Sequence, residues 1–304
     1  MTALVAAVVS VALLSQDPSR LIAASNVRLR NAPVETAEVV AAVPLGTALV
    51  QLESGGEGGA WVRLRLADGR DGWVPSRLAR RFTIDTKLDI AEAIVKERLA
   101  REGDSFPARA ELVDFLDRVR PEIRDPETSG RFSLYWLAAM KAAVRGIPYR
   151  LDKNSPYAAW FESRKSLVTW HEPGGMWLIR TDVVLALHDR EKDSSSADDI
   201  AWFYVTNGVP GECEGFQPCY IRLGNLLRGE YLRRHPAGRH VDEALSLFPK
   251  LAANLGVYSM SRPADCGELM ASLVPLRAAV ASTRAVGRQA ALDALDKFGA
   301  GCGK

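Results

Sequence analysis

The sequence lacks an excess of charge of either sign. Its 304 residues carry 39 lysines and arginines against 37 aspartates and glutamates, which gives a formal net charge of +2. A protein that binds nucleic acid through the phosphates needs a concentrated basic surface, and this near balance does not indicate one. The composition therefore argues against nucleic acid as a partner.

The chain also has little long apolar sequence. The run that stands out covers residues 3–14, which is shorter than the ~20 residues that a membrane-spanning helix needs. Such a run, followed at once by polar residues, is typical of the apolar core of a signal peptide. We therefore expect residues 1–15 to be a signal peptide, and the mature protein to be periplasmic or extracellular without a membrane span. No basic residue precedes Arg20, so a misassigned start codon or a buried first strand remains the alternative.

Signatures of catalysis are scarce. The sequence contains no phosphate-binding glycine loop, no Gly-x-Ser-x-Gly, no His-Glu-x-x-His and only four histidines. His188 and Asp189 could orient a proton, but adjacent residues of a helix diverge by about 100°. His235 and His240 flank a predicted helix break and are interpreted as solvated connector residues. We expect a non-enzymatic protein with no cofactor and no metal. The alternative is a hydrolase of envelope peptide or glycan, with its active site in the helical part of the chain.

Cysteine is rare as well: the chain has four cysteines, which is an even number. In an exported chain an even number indicates disulfides, although four cysteines allow three pairings. Proximity favours Cys213 with Cys219 and Cys266 with Cys302. The spacing of the first pair is longer than that of typical zinc-ligand pairs, which disfavours a metal site. A free Cys219 at the start of a helix would instead favour a thiol hydrolase.

From Leu21 to Arg81 the sequence has the period-two pattern of half-buried strands. Val62, Leu64 and Leu66 alternate with Trp61, Arg63 and Arg65. Turn signals separate the runs, and the strongest is the Asp68-Gly69 pair, whose two positions tolerate positive φ. Five short strands in so little sequence would leave too many open edges, so they are expected to close into a small barrel.

This segment resembles the bacterial Src-homology-3-like (SH3b) domain. The resemblance rests on blocks in the right order, Asn26-Val-Arg-Leu-Arg with Ala32-Pro33, Pro44-Leu-Gly-Thr47, Trp61-Val-Arg-Leu and Asp68-Gly-Arg-Asp-Gly-Trp-Val74. It covers residues 21–81 and leaves the rest of the chain unassigned. It implies an SH3-like barrel in an exported or envelope protein, where such domains hold cell-wall peptides or protein partners.

Candidate ligand-binding residues follow from the alternation. Trp61 is expected to point outwards beside Arg63 and Arg65, where an indole can stack on a peptide and the cations can meet carboxylates. Trp73 is a further candidate on the closing strand. The alternative is structural: Trp61 covers the barrel rim and Trp73 fills the core.

Beyond the barrel the periodicity becomes helical. Leu88, Ala91, Val95 and Leu99 recur at three- and four-residue spacing, and similar patterns follow. β-favouring residues around a Pro-Gly-Gly turn predict a single β-hairpin within residues 166–179. The sequence therefore predicts a multidomain chain, with the small all-β barrel followed over residues 86–304 by a mainly α-helical domain that acts as a scaffold.

Overall fold

A computed structural model of the protein describes residues 19–101, 103, 105–172, 174–207, 213–255 and 263–302. The predicted signal peptide lies outside the described residues. The chain divides into two compact units, Met1–Ala100 and Arg101–Lys304. Among the described residues, no helix combines the length and the apolarity needed to cross a membrane.

The first unit is a seven-stranded antiparallel sheet. Its strands are β1 (Arg20–Ile22), β2 (Val27–Arg30), β3 (Val39–Val43), β4 (Ala48–Gly55), β5 (Trp61–Arg65), β6 (Asp71–Pro75) and β7 (Ala79–Arg81). They lie in the order β3-β2-β6-β5-β4-β1-β7. The structure thus has two more strands than the five that the sequence predicts. The three-residue strands β1 and β7, which pair with each other, are too short to show an alternating pattern.

The alternation along these strands builds the barrel core. Its buried members are Ile22, Val27, Leu29, Val43, Leu49, Val62, Leu64, Val74 and Ala79. Gly69 has a φ of 88° in the turn between β5 and β6, which is the backbone conformation that the predicted hairpin needs. Helix α1 (Lys87–Leu99) belongs to the same unit. Its Arg98 donates a hydrogen bond to Ser25 Oγ at 3.2 Å, and its Glu97 pairs with Arg80.

The second unit is mainly helical. Its helices are α2 (Phe106–Val119), α3 (Pro126–Val144), α4 (Ala158–Glu162), α5 (Thr181–Arg190), α6 (Ala197–Asn207), α7 (Gln217–Gly224), α8 (Glu230–Arg234), α9 (Val241–Leu255), α10 (Pro263–Ala281) and α11 (Arg288–Ala300). Strands β8 (Val168–His171) and β9 (Met176–Ile179) form an antiparallel hairpin. The predicted fold class, a small all-β SH3-like barrel followed by a mainly helical region with one hairpin, is confirmed.

Candidate functional site

The four candidate residues lie together on the outer face of the barrel. Strands β5 and β6 pair so that Trp61 is opposite Pro75, Arg63 opposite Trp73, and Arg65 opposite Asp71. The side chains between them in sequence, such as Val62 and Val74, are buried in the core. Because successive strand residues point to opposite faces, the two tryptophans and two arginines share the solvent side. Both tryptophans are half-buried there.

Two consecutive glycines, the last residue of β4 and the residue after it, lie next to the two indole rings. A Cβ on Gly55 would approach Trp73 Cη2 to 2.5 Å, and one on Gly56 would approach Trp61 Cδ1 to 2.8 Å. Both distances are too short for a real side chain, so only glycine lets the rings lie this close to the backbone. Gly56 also has a φ of 75°, which glycine adopts without strain. The closely spaced glycines at positions 55, 56, 58 and 59 are typical of a turn, but nothing in the sequence indicates that Gly55 and Gly56 also make room for the two tryptophans.

The structural alternative for Trp73 is wrong. Its ring does not fill the barrel core, because Trp73 has the outward register of β6 and its neighbours Gly72 and Val74 are the buried positions. The indole instead extends across β5, and its outer edge reaches Gly55 on β4. Trp61 and Trp73 thus lie against adjacent glycines on the same face.

The arginines of this face differ in how far they are already paired. Arg63 donates from Nε to Asp71 Oδ1 at 2.8 Å and from Nη1 to Glu53 Oε1 at 3.0 Å. Hydrogen bonding to Glu53, then to Asp71, raises the pKa of Arg63. Arg65 comes no closer to Asp71 than 3.9 Å, and 51% of its side chain is exposed. Arg65 is therefore the cation with more capacity for a ligand carboxylate.

The cysteines form two disulfides, Cys213 with Cys219 and Cys266 with Cys302. These are the pairs that proximity in the sequence favours, and Cys219 carries no free thiol. The first bridge closes a short loop at the start of α7. The second joins α10 to Cys302, which lies two residues after the end of α11. Within the described residues, no group of three or more His, Cys, Asp and Glu side chains could hold a metal ion.

The interpretation of His235 and His240 as solvated residues is wrong. His235 Nε2 lies 2.8 Å from Nε2 of His188, which is buried in α5. His240 Nε2 lies 2.9 Å from Asp199 Oδ1, and its ring stacks on Trp202 at 4.9 Å between centroids. The break between α8 and α9 is thus packed against α5 and α6. Because these partners are distant in sequence, no local pattern predicts the contacts.

Comparisons with known proteins bear on the first unit alone. Neither the curated proteins nor the solved structures gave a significant match to the chain. Residues 25–79 match the family model described as a bacterial SH3 domain. The outward tryptophans and arginines therefore lie within a bacterial SH3 domain that covers residues 25–79, and the remaining residues of the chain have no family assignment.

Proposed function

We propose that this is an exported, non-enzymatic binding protein. Its SH3 barrel binds a cell-wall peptide or an envelope protein through Trp61, Arg63, Arg65 and Trp73, and its helical unit serves as a scaffold. The observation that carries the proposal is the pair of indoles laid on Gly55 and Gly56 at the surface of a domain whose family commonly binds cell-wall components.

The chemistry of this face favours an extended peptide with acidic groups. Indole rings offer a large, rigid contact surface at little cost in conformational entropy, and Trp and Arg dominate the binding energy of many protein interfaces. A peptide backbone can lie along Trp61 and Trp73. Its carboxylate then meets Arg65, because Arg63 is held by Glu53 and Asp71.

Export is supported by the two disulfides of the helical unit. Disulfides persist in oxidising compartments and are reduced in most cytosols. Fractionation of the native host tests this part of the proposal. We expect the protein in the periplasm or the medium, with its mass shortened by removal of about the first 15 residues, as a cleaved signal peptide requires. An intact, cytosolic chain with reduced cysteines would contradict it.

Sedimentation of the full-length protein with insoluble cell wall tests the binding role. We expect the wild type to co-sediment, and Trp61→Ala and Trp73→Ala to bind about tenfold more weakly, as the loss of an interface hot spot implies. Arg77→Ala, an exposed change in the same unit outside this face, is the matched control. Equal binding by all four proteins, or none by any, would remove the ligand-binding role. Release of soluble wall fragments would identify the hydrolase alternative instead.

A further inference from the structure

The helical unit contains a pocket, lined by several charged side chains, that no part of the proposed function uses. It has a volume of about 460 Å³ and lies between the residues that follow α2, the first turn of α3 and the loop after α5. This size falls within the range of small-molecule sites, roughly 300–1,000 Å³. Arginines and acids line it side by side, with Pro121, Ile123 and Pro126 supplying apolar wall.

Arg120 is the unusual member of this lining. Its Nε is buried without a hydrogen-bond partner, and its side chain forms no ion pair or hydrogen bond within the part of the chain that the structure describes. Its guanidinium instead lies over the ring of Trp136, 5.0 Å from the centroid. A guanidinium has five N–H donors, and withdrawing one from water without partners is costly. An unoccupied set of donors beside a pocket is what an anionic ligand requires.

A second arginine at the pocket also has no ion-pair partner among the described residues. Arg124 is exposed, and no described residue forms an ion pair with it. Arg190, by contrast, donates from Nε to Glu191 Oε1 at 2.8 Å and from Nη2 to Ser133 Oγ at 3.1 Å. Arg120 and Arg124 are therefore the two arginines with donors to offer.

The acidic residues of the pocket limit the charge of the anion that it can bind. Asp117 accepts hydrogen bonds from Trp136 Nε1 at 2.7 Å and from Arg164 at 2.7 Å, and Glu191 is held by Arg190 and Ser133. Asp193 is exposed at the edge of the pocket and forms no described ion pair. The three acids and three arginines of the lining give it no formal net charge. The positive potential is therefore too weak to favour a ligand with two negative charges. The site favours one carboxylate, bound by a guanidinium edge, together with a cation near Asp193.

We propose that this pocket binds a molecule that carries a free carboxylate and an ammonium group, as an amino acid or a short peptide does. Arg120 and Arg124 donate to the carboxylate, and Asp193 accepts from the ammonium group. The pocket is separate from the SH3 face, so this inference does not depend on the proposed function.

The protonation of Arg120 agrees with this role. Burial, and then the charge of Arg190, lower its pKa to about 10, while the charges of Asp117 and Glu191 oppose this shift. Arg120 is still a cation at neutral pH, but its charge is disfavoured by its surroundings. A bound carboxylate adds negative charge next to it, beyond that of Asp117 and Glu191, and so favours the charged form.

Titration calorimetry on the full-length, oxidised protein tests the proposal with five probes: alanine, alanyl-alanine, alanyl-alanine amide, acetate and inorganic phosphate. We expect alanine or alanyl-alanine to bind, and the stronger of the two identifies a free amino acid or a peptide as the ligand class. The amide should bind at least about tenfold more weakly than alanyl-alanine, since it lacks the carboxylate, and acetate should be weaker because it lacks the ammonium group. No binding by either amino-carboxylate, or phosphate binding as tightly as they do, would overturn the proposal.

Variants identify the residues responsible. Arg124→Gln, at an exposed position that leaves the fold intact, and Arg120→Gln should each weaken carboxylate binding about tenfold or more. Asp193→Asn should weaken binding of alanine or alanyl-alanine while leaving acetate unchanged. Arg145→Gln, an exposed change outside the pocket, should have no effect. Unchanged affinity in Arg124→Gln and Arg120→Gln, with circular dichroism showing both folded, would contradict the assignment.

Discussion

The indole of Trp73 lies over Gly55, which is two strands away in the sheet, so that a methyl group at Gly55 would approach Trp73 Cη2 to 2.5 Å. This contact ties three neighbouring strands together on the outer face of the barrel. It also determines where the aromatic surface lies, because the ring can reach across β5 only if β4 presents no side chain at that point.

Gly55→Ala is expected to displace the Trp73 ring without removing it. Gly55 does not have a positive φ, so alanine fits the backbone, and the clash falls on the far end of a side chain that can move. Cell-wall binding should therefore weaken several-fold while the fold is retained. Tryptophan fluorescence should shift to longer wavelength as the indole becomes more exposed.

The control for this change is Gly146→Ala, since a Cβ at Gly146 meets no atom within 4 Å. It should alter neither fluorescence nor binding. If Gly55→Ala binds like the wild type although its fluorescence shifts, the position of Trp73 does not matter for the ligand. The proposed binding site would then include Trp61 and not Trp73.

Arg65→Ala is expected to weaken binding of an acidic ligand without an effect on folding. Arg65 is half-exposed and lies 3.9 Å from its nearest acid, Asp71, so little is lost within the protein. The contribution of an exposed cation to binding is screened by salt. Sedimentation with cell wall at low and high ionic strength should therefore show a smaller salt effect for Arg65→Ala than for wild type, with Arg77→Ala unchanged. An identical salt dependence would exclude Arg65 from the contact.

The faces of the barrel could be predicted because they depend on local sequence. Alternation in β5 separates Val62 and Leu64 from Trp61 and Arg63 whatever the strand's neighbours are. The turn at Gly69 is likewise local. The hairpin β8–β9 was predicted for the same reason, since its strand and turn residues are contiguous.

The rest of the candidate sites depends on contacts between distant residues. The approach of Trp73 to Gly55 requires the strand order β6-β5-β4, which periodicity does not determine. His188 and His235 are 47 residues apart, and Arg120 meets Trp136 only after α2 and α3 have packed. The uncommitted donors of Arg120 become visible only when all of its neighbours are known.

Removal of the disulfides should destabilise the helical unit to different degrees. The bridge between Cys266 and Cys302 spans 36 residues, whereas the one between Cys213 and Cys219 spans 6. A cross-link restricts the unfolded chain more when it closes a longer loop, which gives about 4 kcal/mol for the first and about 2 kcal/mol for the second. Denaturant unfolding of the two double-serine variants, followed by circular dichroism, measures the difference. Equal losses would show that strain or residual structure, and not loop entropy, controls stability here.

We expect the histidine pair to make the helical unit sensitive to mild acid. With Nε2 atoms 2.8 Å apart, one ring must donate and the other accept, so the pair cannot be doubly protonated in this geometry. Burial lowers the pKa of His235 from 6.5, opposed by the charge of Asp198 and reinforced by His188 and Arg234. Asp189 and Arg234 surround the other ring, His188.

Lowering the pH from about 7.5 to about 5 should therefore reduce the free energy of unfolding, because the unfolded chain binds a proton that folded His235 resists. The stability is fully present above the ordinary histidine pKa, and it is lost as the pH falls through about 6.5 towards the lowered pKa of the folded protein. Thermal unfolding measured across this range should show a flatter pH dependence for His235→Asn than for wild type. His171→Asn, which changes a histidine of the β8–β9 hairpin outside the pair, should keep the wild-type slope. If His235→Asn retains the full slope, the acid sensitivity arises from groups other than this pair.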